Sequence, residues 1–200
     1  MRIVILWFAW ATCGAPVLIE GVPHVRQKTD FCGEACAAMY LQKLGHDLDQ
    51  DYVFDQSGLA PTEARGCYSK ELKLALARLG FELGSGWSQN WVAAAKQEME
   101  KEFGAMLRDL RAGVPSIVCM HYDDQPETTE HFRLILGYDD AKKELIYHEP
   151  AEDNGAYRRM PKSRFLKLWP LKYKRDSWTL IRFALRPGEI RAKPSHKRFT

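Results

Sequence analysis

The stretch VPHVRQKTDFCGEACAAMYLQKLG, residues 22–45, decides the reading of this chain. A cysteine opens an alanine-rich apolar run, which predicts a helix from about Cys32 to Leu44 with Asp30 as its N-cap and Gly45 as its stop. The first turn of a helix offers free N–H groups and partial positive charge, which favour a thiolate over a thiol. Cys32 is therefore the candidate nucleophile, and Gly33 is expected to leave room beside its sulfur for a substrate. Gln27 lies five residues earlier in an extended segment. Its side-chain amide and the Cys32 N–H together would make an oxyanion hole. Cys36, one turn further on, reads as packed or disulfide-bridged.

A thiol nucleophile needs a base, and the base needs a group to orient it. His121, His131 and His148 compete for the first role. His131 opens the run HFRLILGYDD (131–140), and a turn over Asp139 to Lys143 leads into ELIYHEP (144–150), so the two runs form a hairpin. Residues 131 and 149 are symmetric about residue 140, the centre of that turn, which pairs His131 with Glu149 as base and orienting carboxylate. His148, adjacent to Glu149 on a strand, points the other way and reads as surface or packing. Asp139 and Asp153 are the reserve carboxylates, and His121 is the reserve base.

Outward from these motifs the first half reads helical and the second half reads as strands. Asp47 or Asp49 caps a short helix ending near Gln56. Ser69 caps SKELKLALARLG, whose apolar stripe is Leu72, Ala75, Leu76 and Leu79. A longer helix is expected over 91–111, with a break near Gly104 left open. Strands are expected at 114–122, 131–140, 144–150 and 177–186, and a strand and helix at 157–159 and 162–167. Helices followed by antiparallel strands predict an α+β fold.

The ordered set Gln27, Cys32-Gly33, Ala35-Cys36, Met39, then HFRLILGYDD and IYHEP, resembles the bacteriocin-processing, double-glycine peptidase family of papain-like cysteine peptidases. RGCYSKELKLALARLGF is similar to a helix those proteins carry after the nucleophile helix. The resemblance spans about residues 20–150. It implies a papain-like fold in which a helical half carrying the nucleophile packs on an antiparallel sheet. It also implies Cys32 as nucleophile, Gln27 as oxyanion donor, His131 as base and Glu149 as third member. The family usually places Asp before that proline, where this chain has Glu149. Its transporter-fused members cut leader peptides after Gly-Gly. No transporter segment accompanies these motifs, so that substrate does not carry over.

The 200 residues, 46% apolar and 28% charged, have the bulk and composition of one globular domain. They exclude a disordered, collagenous, coiled-coil or multi-span membrane chain. MRIVILWFAWATCGA has the order of a signal peptide: one cation, an apolar run too short to span, then small residues. Cleavage after Ala11 or near Ala15 is expected, with a lipid anchor at Cys13 or a buried first strand as the contrasting readings. Residues 1–19 are accordingly read as signal and lead-in, 20–186 as the peptidase domain, and 187–200 as a basic tail. The exported chain would be periplasmic or extracellular, where a Cys36–Cys67 or Cys67–Cys119 bridge is open to it.

Residues 158–200 hold 14 Lys and Arg against 2 Asp and Glu, while the other 157 residues hold 15 against 24. No zinc-finger, helix-turn-helix or RNA-recognition pattern accompanies the basic quarter. The expected partners are a peptide or protein substrate and, peripherally, an anionic envelope, with no nucleic acid. No cofactor and no metal is expected, because Cys32, Cys36, Cys67 and His121 lack the paired short spacings of a zinc site. Acyl transfer or cell-wall amide hydrolysis by the same triad, and an inactive peptide- or envelope-binding module, are the contrasting functions.

Overall fold

From Gly33 to Leu41 every residue of the helix that Cys32 opens is buried. That helix, α1 (Cys32–Lys43), is apolar on all sides from Gly33 to Leu41 except for Glu34, the signature of a helix enclosed by other elements. In this computed structural model the described residues are 16–84, 86–91 and 95–191. The expected signal run and Cys13 fall in residues 1–15, and the end of the basic tail in 192–200, both outside the described residues.

Four further helices surround α1 and the sheet: α2 (Gln50–Asp55), α3 (Ser69–Arg78), α4 (Ala95–Arg111) and α5 (Lys162–Leu168). Asp49 caps α2, its carboxylate accepting the Tyr52 N–H. The α3 stripe Leu72, Ala75, Leu76 and Leu79 is buried as patterned, but Tyr68 rather than Ser69 is the N-cap residue, its N–H bonded to Glu71. α4 runs unbroken through Gly104. It starts later than expected because Trp91 belongs to a strand and pairs with Trp178.

The described strands are β1 (Val17–Leu18), β2 (Ser88–Trp91), β3 (Ser116–His121), β4 (Glu130–Asp139), β5 (Glu144–His148), β6 (Arg158–Pro161), β7 (Leu171–Lys174) and β8 (Ser177–Ala184). They form one antiparallel sheet in the order β2-β8-β3-β4-β5-β6, with β1 added to β4 and β7 to β8. Strand alternation splits the core in two. Ile117, Phe132, Leu134, Leu136 and Phe183 meet α1 and α3 on one face. Val118, Met120, Ile135, Tyr138 and Leu180 meet α4 and α5 on the other.

Residues at both edges of the expected domain pack on it. Val17 and Leu18 pair with Tyr138 and Gly137, inside what reads as lead-in. Residues 187–191 dock on the end of α3, with Gly188 N–H bonded to Gly80 O and Arg191 N–H to Leu79 O.

Half of the basic quarter's cations are paired inside the molecule. Arg158 pairs with Glu152, Arg159 with Asp139 and Glu144, and Lys162 with Glu100. Arg164 and Lys167 share Asp124, and Arg182 and Arg186 share Asp109. These mostly exposed pairs contribute little each, but they partner seven of the fourteen Lys and Arg of the basic quarter. Among the described residues, the exposed cations of this quarter outside these ion pairs are Lys172, Lys174 and Arg175 about the β7–β8 turn, and Arg191.

Candidate active site

The nucleophile candidate stands where the chain turns sharply into α1. Phe31 N–H bonds to Lys28 O, and Asp30 sits in the left-handed region at φ 62°. Asp30 therefore does not cap the helix; Phe31 holds the N-cap position without a side-chain bond. The turn is braced from outside: a Cβ on Gly66 would lie 1.9 Å from the Asp30 carbonyl oxygen. Only glycine allows that approach. Glu34, fully buried, ties the same loop to α1 by accepting the Cys67 N–H at 2.7 Å. Burial raises the Glu34 carboxyl above its usual range.

Two expectations about α1 need correcting. Burial pushes the Cys32 thiol up to about 11, more than hydrogen bonds from the backbone of Phe132, Gly33 and Cys32 itself pull it down. The resting group is a thiol, because desolvation of a sulfur anion outweighs the helix end. Gly33 does not open space for substrate. A Cβ there would meet Leu72 at 2.7 Å and Phe132 at 3.1 Å, so its missing side chain serves the core.

The base candidate and its carboxylate meet, but not in the register expected. Leu134 lies opposite His148, and a bulge between Ile135 and Gly137 shifts the ladder beyond it. One further step puts Glu149 level with Arg133, two residues from His131. A two-residue offset keeps the same face, so one carboxylate reaches both side chains. Glu149 Oε1 lies 2.5 Å from His131 Nε2 and also accepts the Ala151 N–H at 3.0 Å, while Oε2 accepts Arg133 Nε at 2.6 Å. Burial alone would raise the Glu149 carboxyl. The hydrogen bond and charge of His131 and the charge of Arg133 outweigh it and hold it at about 2. Burial holds His131 below the usual imidazole range, with Arg133 lowering it further and Glu149 opposing. The loop after Glu149 folds back on it: Glu149 N–H bonds to Gly155 O, and a Cβ on Gly155 would lie 1.9 Å from Glu149 O.

Gln27, Cys32 and His131 line one cleft of about 1180 Å³, together with Trp87, Glu130 and Tyr173. Glu149 stands behind His131. Gln27 is fixed by its N–H to Pro150 O, and its Oε1 is buried without a partner. The other candidates lie elsewhere. His148 is fully buried, bridging Val22 O and the Tyr157 N–H, so it packs. Asp139 pairs with Arg159, and exposed Asp153 with Arg26. His121 is not among the cleft residues. Cys36 donates to Phe132 O, and all four described cysteines are free thiols. Among the described residues no group of three or more His, Cys, Asp or Glu is placed to hold a metal ion.

The sequence reading missed Arg133. Its signal was the lone charge in the apolar run HFRLILG, on the His131 face by the two-residue period.

A thiol, an imidazole and a carboxylate meet at the mouth of an antiparallel sheet packed against helices, which is a papain-like α+β arrangement. Residues 19–177 match the model of the Peptidase_C39 like family, and the chain belongs to that family. No curated protein matches the chain. Two solved structures are similar at 18% identity each. One is the peptidase domain of Streptococcus ComA, a bi-functional ABC transporter involved in a quorum sensing pathway, with TM-score 0.47 over 78% of this chain and 96% of that one. The other is a double glycine motif protease from an AMS/PCAT transporter in complex with the leader peptide, with TM-score 0.49 over 84% of this chain and 97% of that one.

Proposed function

We propose that this chain is an exported peptidase that hydrolyses peptide bonds through Cys32, His131, Glu149 and Gln27. The observation that carries the reading is that Gln27, Cys32 and His131 line one cleft while Glu149 binds His131 Nε2. That bond fixes the Nε2–H tautomer and leaves Nδ1 as the basic nitrogen. As the Cys32 sulfur attacks the carbonyl carbon, Nδ1 takes the thiol proton. The carbonyl π electrons move to oxygen, where the Cys32 N–H and the Gln27 amide hold the developing charge. Collapse of the adduct breaks the C–N bond, and the imidazolium gives its proton to the leaving amine. Water, deprotonated by His131, then attacks the thioester and frees the acid and the thiol.

The test is a peptide mixture digested with the wild-type chain and with Cys32→Ala, read by mass spectrometry. Hydrolytic products from the first and none from the second are expected. Products incorporating an added amine in place of water would make the reaction acyl transfer instead. Export rests on the charged, apolar, small-residue order of residues 1–15 and is tested by fusing residues 1–20 to a reporter active only outside the cytoplasm.

A further inference from the structure

Glu149 is held by more than His131. Arg133 is 4% exposed, and three of its donors are engaged: Nε with Glu149 Oε2 at 2.6 Å, Nη1 with His121 O at 3.2 Å, Nη2 with Tyr122 O at 2.7 Å. The rings of Tyr122 and Tyr147 flank the guanidinium, with centroids 5.3 and 5.8 Å away. The fork cannot swing without breaking those bonds inside the protein, where each orphaned donor is costly. The hydrolytic steps above do not use it.

We propose that Arg133 is a positioning residue for this reaction: by clamping Oε2 of Glu149 it turns Oε1 onto His131 Nε2 and so presents Nδ1 to Cys32. The inference rests on the reading of Cys32 and His131 as the reacting pair. A glutamate side chain has one more torsion than an aspartate, so it needs a second anchor to hold one rotamer. A planar guanidinium, pinned at both Nη ends by the His121 and Tyr122 carbonyls, aims Nε at Oε2 and supplies that anchor; a lysine would not.

The clamp also sets the charge around the imidazole. The titratable and charged groups facing it are Arg133 on its own strand, Glu149 at the end of β5, Tyr122 after β3 and Cys32 on α1, with Cys36 behind Glu149. Arg133 and Glu149 act on the imidazole in opposite directions and offset each other. Burial then leaves the imidazole neutral, which is the form that accepts the Cys32 proton.

The test compares wild type, Arg133→Lys and Arg133→Met. In Arg133→Lys kcat falls about 10²-fold with KM little changed. In a Cys32→Ala background, 15N NMR shows the Nε2–H tautomer giving way to a mixture while the His131 titration midpoint stays in place. In Arg133→Met kcat falls similarly and the midpoint moves to higher pH, because the like charge is gone. An unchanged kcat in Arg133→Lys, or an unmoved midpoint in folded Arg133→Met, overturns the proposal. If Arg133→Met does not fold, kcat and the tautomer signature of Arg133→Lys decide alone. Hydrolysis surviving Cys32→Ala would instead overturn the reading of Cys32 and His131 as the reacting pair. The NMR midpoints need no activity, so the two failures are separable.

Discussion

Replacing Glu149 with glutamine tests the heart of the site with one atom changed. Glu149 takes three donors on its two oxygens, His131 Nε2 and the Ala151 N–H on Oε1 and Arg133 Nε on Oε2; an amide keeps one of those oxygens and turns an NH₂ toward the donor on the other side. Two routes give the cost. The carboxyl is held at about 2 against an ordinary 4.5, and at 1.36 kcal/mol per pH unit that is about 3 kcal/mol. Leaving the Arg133 guanidinium buried and uncompensated costs about 3–5 kcal/mol. The sign follows from the depressed carboxyl. Its contribution is complete above pH 4.5 and is lost as pH falls toward 2. Urea unfolding should therefore show Glu149→Gln about 3 kcal/mol less stable than wild type at pH 7, narrowing to about 1 kcal/mol at pH 3. In the same variant kcat/KM should drop on the order of 10³- to 10⁴-fold, because the imidazole tautomer is no longer fixed. A gap absent at pH 7, or equal at both pH values, refutes the reasoning.

Alkylation of Cys32 by iodoacetamide should be slow at pH 7 and climb toward pH 11 without a plateau near neutrality, since burial holds the resting group as a thiol; a neutral plateau would show a standing ion pair. Gln27→Ala should lower kcat about 10²- to 10³-fold while leaving Cys32 open to alkylation, and a loss confined to KM would remove Gln27 from the oxyanion site. Gly33→Ala should cost about 1–3 kcal/mol, since its Cβ collides with Leu72 and Phe132. A thermal melt lowered by several degrees fits that collision; a changed KM with an unchanged melt would return Gly33 to the substrate side.

The sequence carries most of the order of elements, and its errors have local causes. The helix over 69–79 is legible because its apolar stripe repeats at helical spacing, whereas 32–44, buried on all sides, is legible only from its alanine-rich run and its Gly45 stop. The sequence places Trp91 in α4 because nothing in the four residues 88–91 distinguishes an edge strand from the start of an amphipathic helix. Hairpin symmetry about residue 140 missed the bulge at Ile135–Gly137, which no turn rule announces. The pairing of His131 with Glu149 survived because an error of two residues preserves the face. Asp30 looked like an N-cap, but the close approach of Gly66, 36 residues away, turns it into a left-handed corner. Cys32 illustrates the same limit in energy: the helix end is local and visible, while the burial that outweighs it comes from the whole fold. Arg133 was overlooked because a charge in an apolar strand reads as an exception until its partner is known.

The central claim is that Cys32 is the nucleophile and His131 its base. Its most direct test is labelling by a peptide-based thiol electrophile, with the adduct located by peptide mapping in wild type, Cys32→Ala and His131→Ala. The account predicts a single adduct on Cys32, absent in Cys32→Ala and formed far more slowly in His131→Ala. An adduct on Cys36, Cys67 or Cys119, or labelling that persists in Cys32→Ala, would contradict it.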